Sequence, residues 1–175
     1  MTIQFTSKKV GELLKEGDLR IPSYQRPYKW NRKHIRNLFY DLRDAMGKKE
    51  YQIGSVILHE NNGYLDIVDG QQRLISISLF LHLLGNLENY KGAKQLLSSA
   101  VFGELSCYHA SENYNEWENL TQLVGENQAK DICNFLLENC SISVITMPQK
   151  RLSEAFQLFD SQNNRGKSLE SHDLL

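Results

Sequence analysis

The chain has no run of some eighteen consecutive apolar residues, the length a membrane-spanning helix requires. Its start, Met1-Thr2-Ile3-Gln4-Phe5, lacks the basic, apolar and small-residue regions of a secretory signal. A cytoplasmic location with no membrane contact is the expectation. Cysteine is scarce: three residues, Cys107, Cys133 and Cys140, with no C-x-x-C pair. An odd number at such spacing excludes a disulfide framework and a zinc knuckle, so they are expected as reduced packing residues. Proline is also scarce, with only Pro22, Pro27 and Pro148, and no linker rich in Pro, Gly or Ser divides the 175 residues. With 41% hydrophobic residues the chain can bury one real core, and a single domain over 1–175 is expected. No H-E-x-x-H or G-x-S-x-G is present, and His34, His59, His82, His109 and His172 are scattered without ligand spacing. His82 is expected as a satisfied residue of a buried helix.

Net charge is −1, which provides no general attraction to nucleic acid, but its distribution is uneven. Residues 1–50 hold 12 Lys and Arg against 6 Asp and Glu, and residues 51–175 hold 8 against 15. Such asymmetry marks either an anion-binding face or a set of solvated surface lysines.

Periodicity predicts the elements. A short helix over 10–15 is followed by an extended Leu19–Ile21, because the residue before Pro22 is pushed out of the α region. Ile35, Leu38, Phe39, Leu42 and Met46 follow a 3.6-residue period behind Asn31 as N-cap, giving an amphipathic helix from Arg32 to near Gly47. Ile53–His59 and Tyr64–Val68 read as strands joined through Asn62-Gly63, a hairpin turn. Leu74–Leu84 is apolar nearly all round and predicts a buried central helix. Residues 88–139 read as further helices, with Trp117, Leu120 and Val124 on one face and Ile132, Phe135 and Leu136 on another. Ser141–Met147 reads as a third strand, Leu152–Phe159 as a helix, Ser161–Lys167 as a polar loop, and a last helix begins near Ser168. Ending in mid-helix at Leu175 suggests a piece of a longer protein. Helices set between strands with a hairpin indicate an α+β fold with a small mixed sheet.

Three segments carry chemistry. In Asp69-Gly70-Gln71-Gln72-Arg73-Leu74 a strand runs through a glycine into a helix, whose first backbone N–H groups have no intrahelical partner and welcome an anion such as phosphate. Arg73 stands in a first turn where the dipole disfavours a cation unless an anion is present, and its guanidinium can grip phosphate in two-pronged fashion. Asp69 can cap the helix, pair internally with Arg73, or hold magnesium or water beside a bound phosphate. The second segment, Ile21-Pro22-Ser23-Tyr24-Gln25-Arg26-Pro27-Tyr28-Lys29-Trp30, is a proline-restrained loop. Its Arg26 can meet a phosphate, and its aromatics either stack on a base or pack on the domain. In the third, Asn163, Asn164 and Arg165 form a polar turn able to reach an anion or a ribose hydroxyl. The following Gly166-Lys167-Ser168 is not a Walker A loop, since Ser161 stands where its first glycine belongs and a helix precedes it.

These blocks, with Gln52-Ile53-Gly54-Ser55-Val56-Ile57-Leu58, Asn164-Arg165-Gly166-Lys167-Ser168-Leu169 and Asp173, in this order and spacing, resemble the N-terminal domain of GmrSD-type restriction endonucleases over roughly residues 10–175. The resemblance implies a ParB/sulfiredoxin-like fold, a nucleoside triphosphate with magnesium as ligand, and a role in bacterial defence against modified foreign DNA. By position it assigns Asp69, Gln71, Gln72 and Arg73 to nucleotide hydrolysis. Gln25, Arg26, Gly70, Asn164 and Arg165 are assigned to nucleotide binding. DNA cleavage in such systems belongs to an HNH-type nuclease domain, in cis or on a partner chain, and no such motif occurs here. Two other readings stand beside this one: a DNA-binding or nucleolytic module using Arg26, Lys29, Arg32, Lys33 and Arg36, and a non-catalytic interaction domain in which the 69–73 segment only starts a helix.

Overall fold

A computed structural model describes residues 2–99 and 104–165. It is an α+β domain on a five-stranded mixed sheet in the order β1-β5-β3-β4-β2, formed by β1 (Gln4–Lys9), β2 (Leu19–Arg20), β3 (Tyr51–Asn61), β4 (Tyr64–Asp69) and β5 (Cys140–Met147). β1/β5 and β3/β4 pair antiparallel; β3/β5 and β2/β4 pair parallel. The helices are α1 (Val10–Leu14), α2 (Arg32–Ala45), α3 (Gln71–Leu83), α4 (Lys91–Ser99), α5 (Glu104–Val124), α6 (Glu126–Glu138) and α7 (Leu152–Arg165). This arrangement is compatible with the ParB/sulfiredoxin-like fold. Among the described residues no helix is long and apolar enough to cross a membrane.

The central strands β3, β4 and β5 are covered on both faces, and their side chains alternate accordingly. Val56 and Leu58 of β3, Ile67 of β4, and Ile142 and Val144 of β5 point into the main core, built with α1 to α6. Ile57, Val68, Ile145 and Met147 point the other way, against Ala155 and its neighbours on α7. Hairpin β3–β4 turns at Asn62 and Gly63, both at positive φ (52° and 87°), as a two-residue turn of matching twist demands. α2 begins where expected, with the Asn31 side chain accepting from the backbone N–H groups of Lys33 and His34. The central helix α3 is buried continuously from Leu74 to Leu81, and the Trp117 ring of α5 stacks on its Phe80 at 4.1 Å. The Trp117 indole N–H donates to Ser76 O at 2.9 Å.

Four expectations need correction. β1 was not expected, because its residues are largely exposed and show no apolar alternation. Ser161–Arg165 is not a loop: α7 runs unbroken to Arg165, since no Gly or Pro interrupts the segment and polar residues at the end of a surface helix need not stop it. The last helix from Ser168 lies outside the described residues. His82 is exposed, because α3 emerges from the core at its final turn, where the imidazole lies 5.7 Å from the Tyr114 ring. Cys107 is exposed, whereas Cys133 and Cys140 are buried and free as expected.

Candidate functional site

The turn between β4 and α3 depends on Gly70. It adopts φ 107°, ψ 0°, and a Cβ there would fall 2.6 Å from Val56 Cγ1 of the neighbouring strand. Glycine is therefore needed for both conformation and close approach. Because the N-cap is glycine, no side chain caps α3. The first intrahelical bond runs from Leu74 N to Gly70 O, so the preceding amides of Gln71, Gln72 and Arg73 form the positive end of the helix dipole.

Three charged groups converge at this turn. Burial pushes the Asp69 carboxyl up to about 6, opposed by a hydrogen bond from the Gly70 backbone and by the positive charges of Arg26 and Arg73. The carboxyl is thus largely ionised at neutral pH, at an energetic cost that a nearby cation reduces. Burial also lowers the pKa of Arg73, against the charges of Asp69, Tyr51 and Asp41. The internal Asp69–Arg73 ion pair is not formed: among the described residues no carboxylate oxygen lies within 4.0 Å of Arg73. Its guanidinium carbon instead lies 5.9 Å from the centre of the Trp30 ring. Nη1 of Arg26 is buried and has no hydrogen-bond partner. Two guanidinium groups thus flank one half-buried carboxylate at an uncapped helix start, and neither forms an ion pair with a carboxylate among the described residues. An unfilled buried donor on a cation is costly, and an anion placed between them would satisfy both.

The loop carrying Arg26 is fastened by glutamines. Gln25 donates through Nε2 to Ile67 O (2.6 Å) and Val68 O (2.7 Å) of β4, and Gln71 Nε2 donates to Gln25 Oε1 (2.8 Å). Gln72 Oε1 accepts from the backbone N–H groups of Lys29 (2.9 Å) and Trp30 (3.2 Å), while its Nε2 donates to Pro27 O (3.3 Å). Further along, Tyr28 is buried, its hydroxyl bonded to Ser76 Oγ at 2.6 Å and to Asn113 Nδ2 at 2.7 Å. Asn113 also donates to Trp30 O at 2.6 Å. Tyr28 therefore takes the packing option left open for the loop aromatics. Asn113 and Ser76 were not singled out from the sequence, since nothing in a helical pattern marks a polar residue that bonds to a distant loop.

The structure brings together Asp69, Gly70, Gln71, Gln72, Arg73, Gln25 and Arg26. Asn164 and Arg165 end α7, and their side chains, like Gly166-Lys167-Ser168-Leu169 and Asp173, lie outside the described residues. The basic front is partly neutralised: Arg32 bonds to Glu112 (3.2 Å) and Glu116 (3.0 Å) of α5, and Arg36 reaches Glu116 at 3.5 Å. Among the described residues no three His, Cys, Asp or Glu side chains cluster to hold a metal ion. Magnesium commonly binds through one or two carboxylates plus substrate phosphates, so the single Asp69, flanked by two cations, fits that ion only when a phosphate accompanies it.

The model of the family described as GmrSD restriction endonuclease, N-terminal domain, matches residues 10–175. No curated protein matches the chain.

Proposed function

Because the chain belongs to the GmrSD restriction endonuclease N-terminal domain family, we propose that it binds a nucleoside triphosphate at the start of α3, hydrolyses it, and through that cycle regulates an HNH-type nuclease domain outside this chain. One observation carries the reading: Arg26 Nη1 is buried without a hydrogen-bond partner, and Arg73 has the Trp30 ring but no carboxylate as neighbour, both around Asp69 at an uncapped helix start. In this reading the phosphates lie against the first amides of α3, Arg26 grips them from the loop, and Arg73 grips them from the helix. Magnesium, when bound with the nucleotide, supplies charge neutralisation of the phosphate oxygens. Asp69 holds that cation or orders the attacking water. In hydrolysis the water oxygen bonds to the γ-phosphorus, the bond from that phosphorus to the β,γ-bridging oxygen breaks, and the nucleoside diphosphate and phosphate leave. The two arginines stabilise the charge that develops on the transferred group. Gln25, Gln71 and Gln72 act as positioning residues, because their amides hold the Arg26 loop against β4 and α3. Asn164 and Arg165 remain proposed ribose or phosphate contacts from α7, and DNA is the proposed substrate of the assembled system.

The test is equilibrium binding of the four nucleoside triphosphates with Mg²⁺ by calorimetry, on wild type and on Arg26→Ala and Arg73→Ala with folding checked. Each variant is expected to lose at least about tenfold in affinity, since a hydrogen bond to a charged group is worth roughly 1.5–3 kcal/mol. Absence of binding by folded wild type, or unaltered affinity in both variants, overturns the proposal.

A further inference from the structure

Pairing between β3 and β5 is interrupted where β3 passes the start of α3. Gln52 faces Ser141, but the next pair is Ser55 with Ser143, so Ile53 and Gly54 together oppose one residue. This is a β-bulge. Gly54 within it adopts φ +135°, a conformation essentially confined to glycine. A Cβ at Gly54 would run into Nη1 of Arg73 and lie 3.4 Å from its Cζ, so the bare backbone of the bulge forms one wall against the guanidinium. Trp30 approaches the same guanidinium at 5.9 Å. The bulge is itself pinned: Gln52 Nε2 donates to Gly54 O at 2.8 Å and to Ser143 Oγ of β5 at 2.8 Å.

We propose that the β3 bulge at Gly54 is a seat for the Arg73 guanidinium, which makes Gly54 a positioning residue for the anion site although it touches no ligand. The seat explains how Arg73 stays beside the helix start without a paired carboxylate: Gly54 leaves the space, Gln52 fixes the backbone that borders it, and Trp30 limits the guanidinium from a second element. Its consequence for ligand affinity rests on the nucleotide reading above; the seat itself does not.

A double-mutant comparison decides both. Gly54→Ala adds backbone strain in any background, but it crowds the guanidinium only when Arg73 is present. The melting temperature is therefore expected to fall at least about 3 °C further when Gly54→Ala is made in wild type than when it is made in Arg73→Ala. Should Gly54→Ala not fold alone, recovery of a folded protein in the double variant is the expected result. Equal losses in both backgrounds, or a double variant that stays unfolded, overturn the seat. For function, Gly54→Ala is expected to weaken Mg-nucleoside triphosphate binding at least about tenfold and to leave the residual affinity of Arg73→Ala unchanged. Wild-type affinity in a folded Gly54→Ala overturns the positioning role. Failure of wild type to bind any nucleotide overturns the proposed function instead, and the melting comparison still decides the seat.

Discussion

Gln72→Ala should loosen the Arg26 loop measurably, and the size of the effect follows from three hydrogen bonds. Gln72 Oε1 serves the backbone N–H groups of Lys29 and Trp30 at 2.9 and 3.2 Å, and Nε2 serves Pro27 O at 3.3 Å. At about 1 kcal/mol net per bond the upper limit is about 3 kcal/mol. The side chain is half-buried, so water can reach some of the abandoned groups, and the third bond is long. A loss of about 2 kcal/mol is the resulting expectation. In urea unfolding at 25 °C with a slope of about 2 kcal/mol per molar, the midpoint moves down by about 1 M with the slope unchanged. Gln72→Glu keeps an acceptor for both N–H groups and places a negative charge in the first turn of α3, where the dipole favours it. It should stay within about 0.5 kcal/mol of wild type. A midpoint shift under about 0.25 M for Gln72→Ala, or an equal loss in Gln72→Glu, would refute the view that this acceptor ties the loop to the helix.

Asp66 is 1% exposed and receives two bonds from Arg20, at 2.6 and 3.1 Å, and one from Asn61 at 2.9 Å. Asp66→Ala strands the Arg20 guanidinium and should cost about 3 kcal/mol by the same urea measurement, the low end for a broken buried pair because Arg20 is partly exposed. Trp117→Ala removes a fully buried ring stacked on Phe80 and should cost about 4 kcal/mol, against about 2 kcal/mol for Trp117→Phe, which refills most of the volume but loses the bond to Ser76 O. For pH, the folded Asp69 carboxyl titrates near 6 against an ordinary 3.8, so the folded state holds that proton more tightly than the unfolded one. The stability this contributes is fully present below about pH 4 and is lost as pH rises through 6. The difference in unfolding free energy between wild type and Asp69→Asn should accordingly fall between pH 4 and 7; a flat difference would contradict the burial argument.

Elements were legible where the sequence pattern and the packing share a period. α2 shows five apolar positions at helical spacing, and Ile35, Leu38, Phe39 and Leu42 among them are buried. The Asn62-Gly63 hairpin depends on two residues that tolerate positive φ, a local requirement that any reader of the chain can find. β1 is the opposite case. Gln4-Phe5-Thr6-Ser7-Lys8-Lys9 pairs with β5 at the rim of the sheet, 132 to 142 positions away along the chain, and Phe5 is 70% exposed. An edge strand that buries little carries no alternation to detect, and it is held by backbone pairing with a distant partner. The end of α7 departs from expectation for a related reason: a polar stretch predicts a loop, although composition alone does not break a helix that lacks Gly and Pro.

The candidate site divides along the same line. Asp69 to Arg73 is contiguous, so a strand, a glycine and a helix start could be read together, and the proline-restrained loop with Arg26 added the second cation. What sequence could not assign is which polar side chains face a ligand and which are already committed to the main chain. The structure makes that division physical. Gln25 and Gln72 bond to loop and strand backbone, and Gln71 bonds to Gln25, so their hydrogen-bonding capacity goes into holding the loop. Arg26 keeps a buried Nη1 without a hydrogen-bond partner, Arg73 has no carboxylate partner among the described residues, and Asp69 is largely ionised at neutral pH against the cost of burial. Groups with unmet electrostatic demand are the ones that gain free energy when a ligand arrives, whereas a side chain that must first release backbone partners gains less. On that criterion the proposed chemistry of this turn falls to two arginines and an aspartate, with the glutamines, and in our proposal the bulge at Gly54, as the groups that position them.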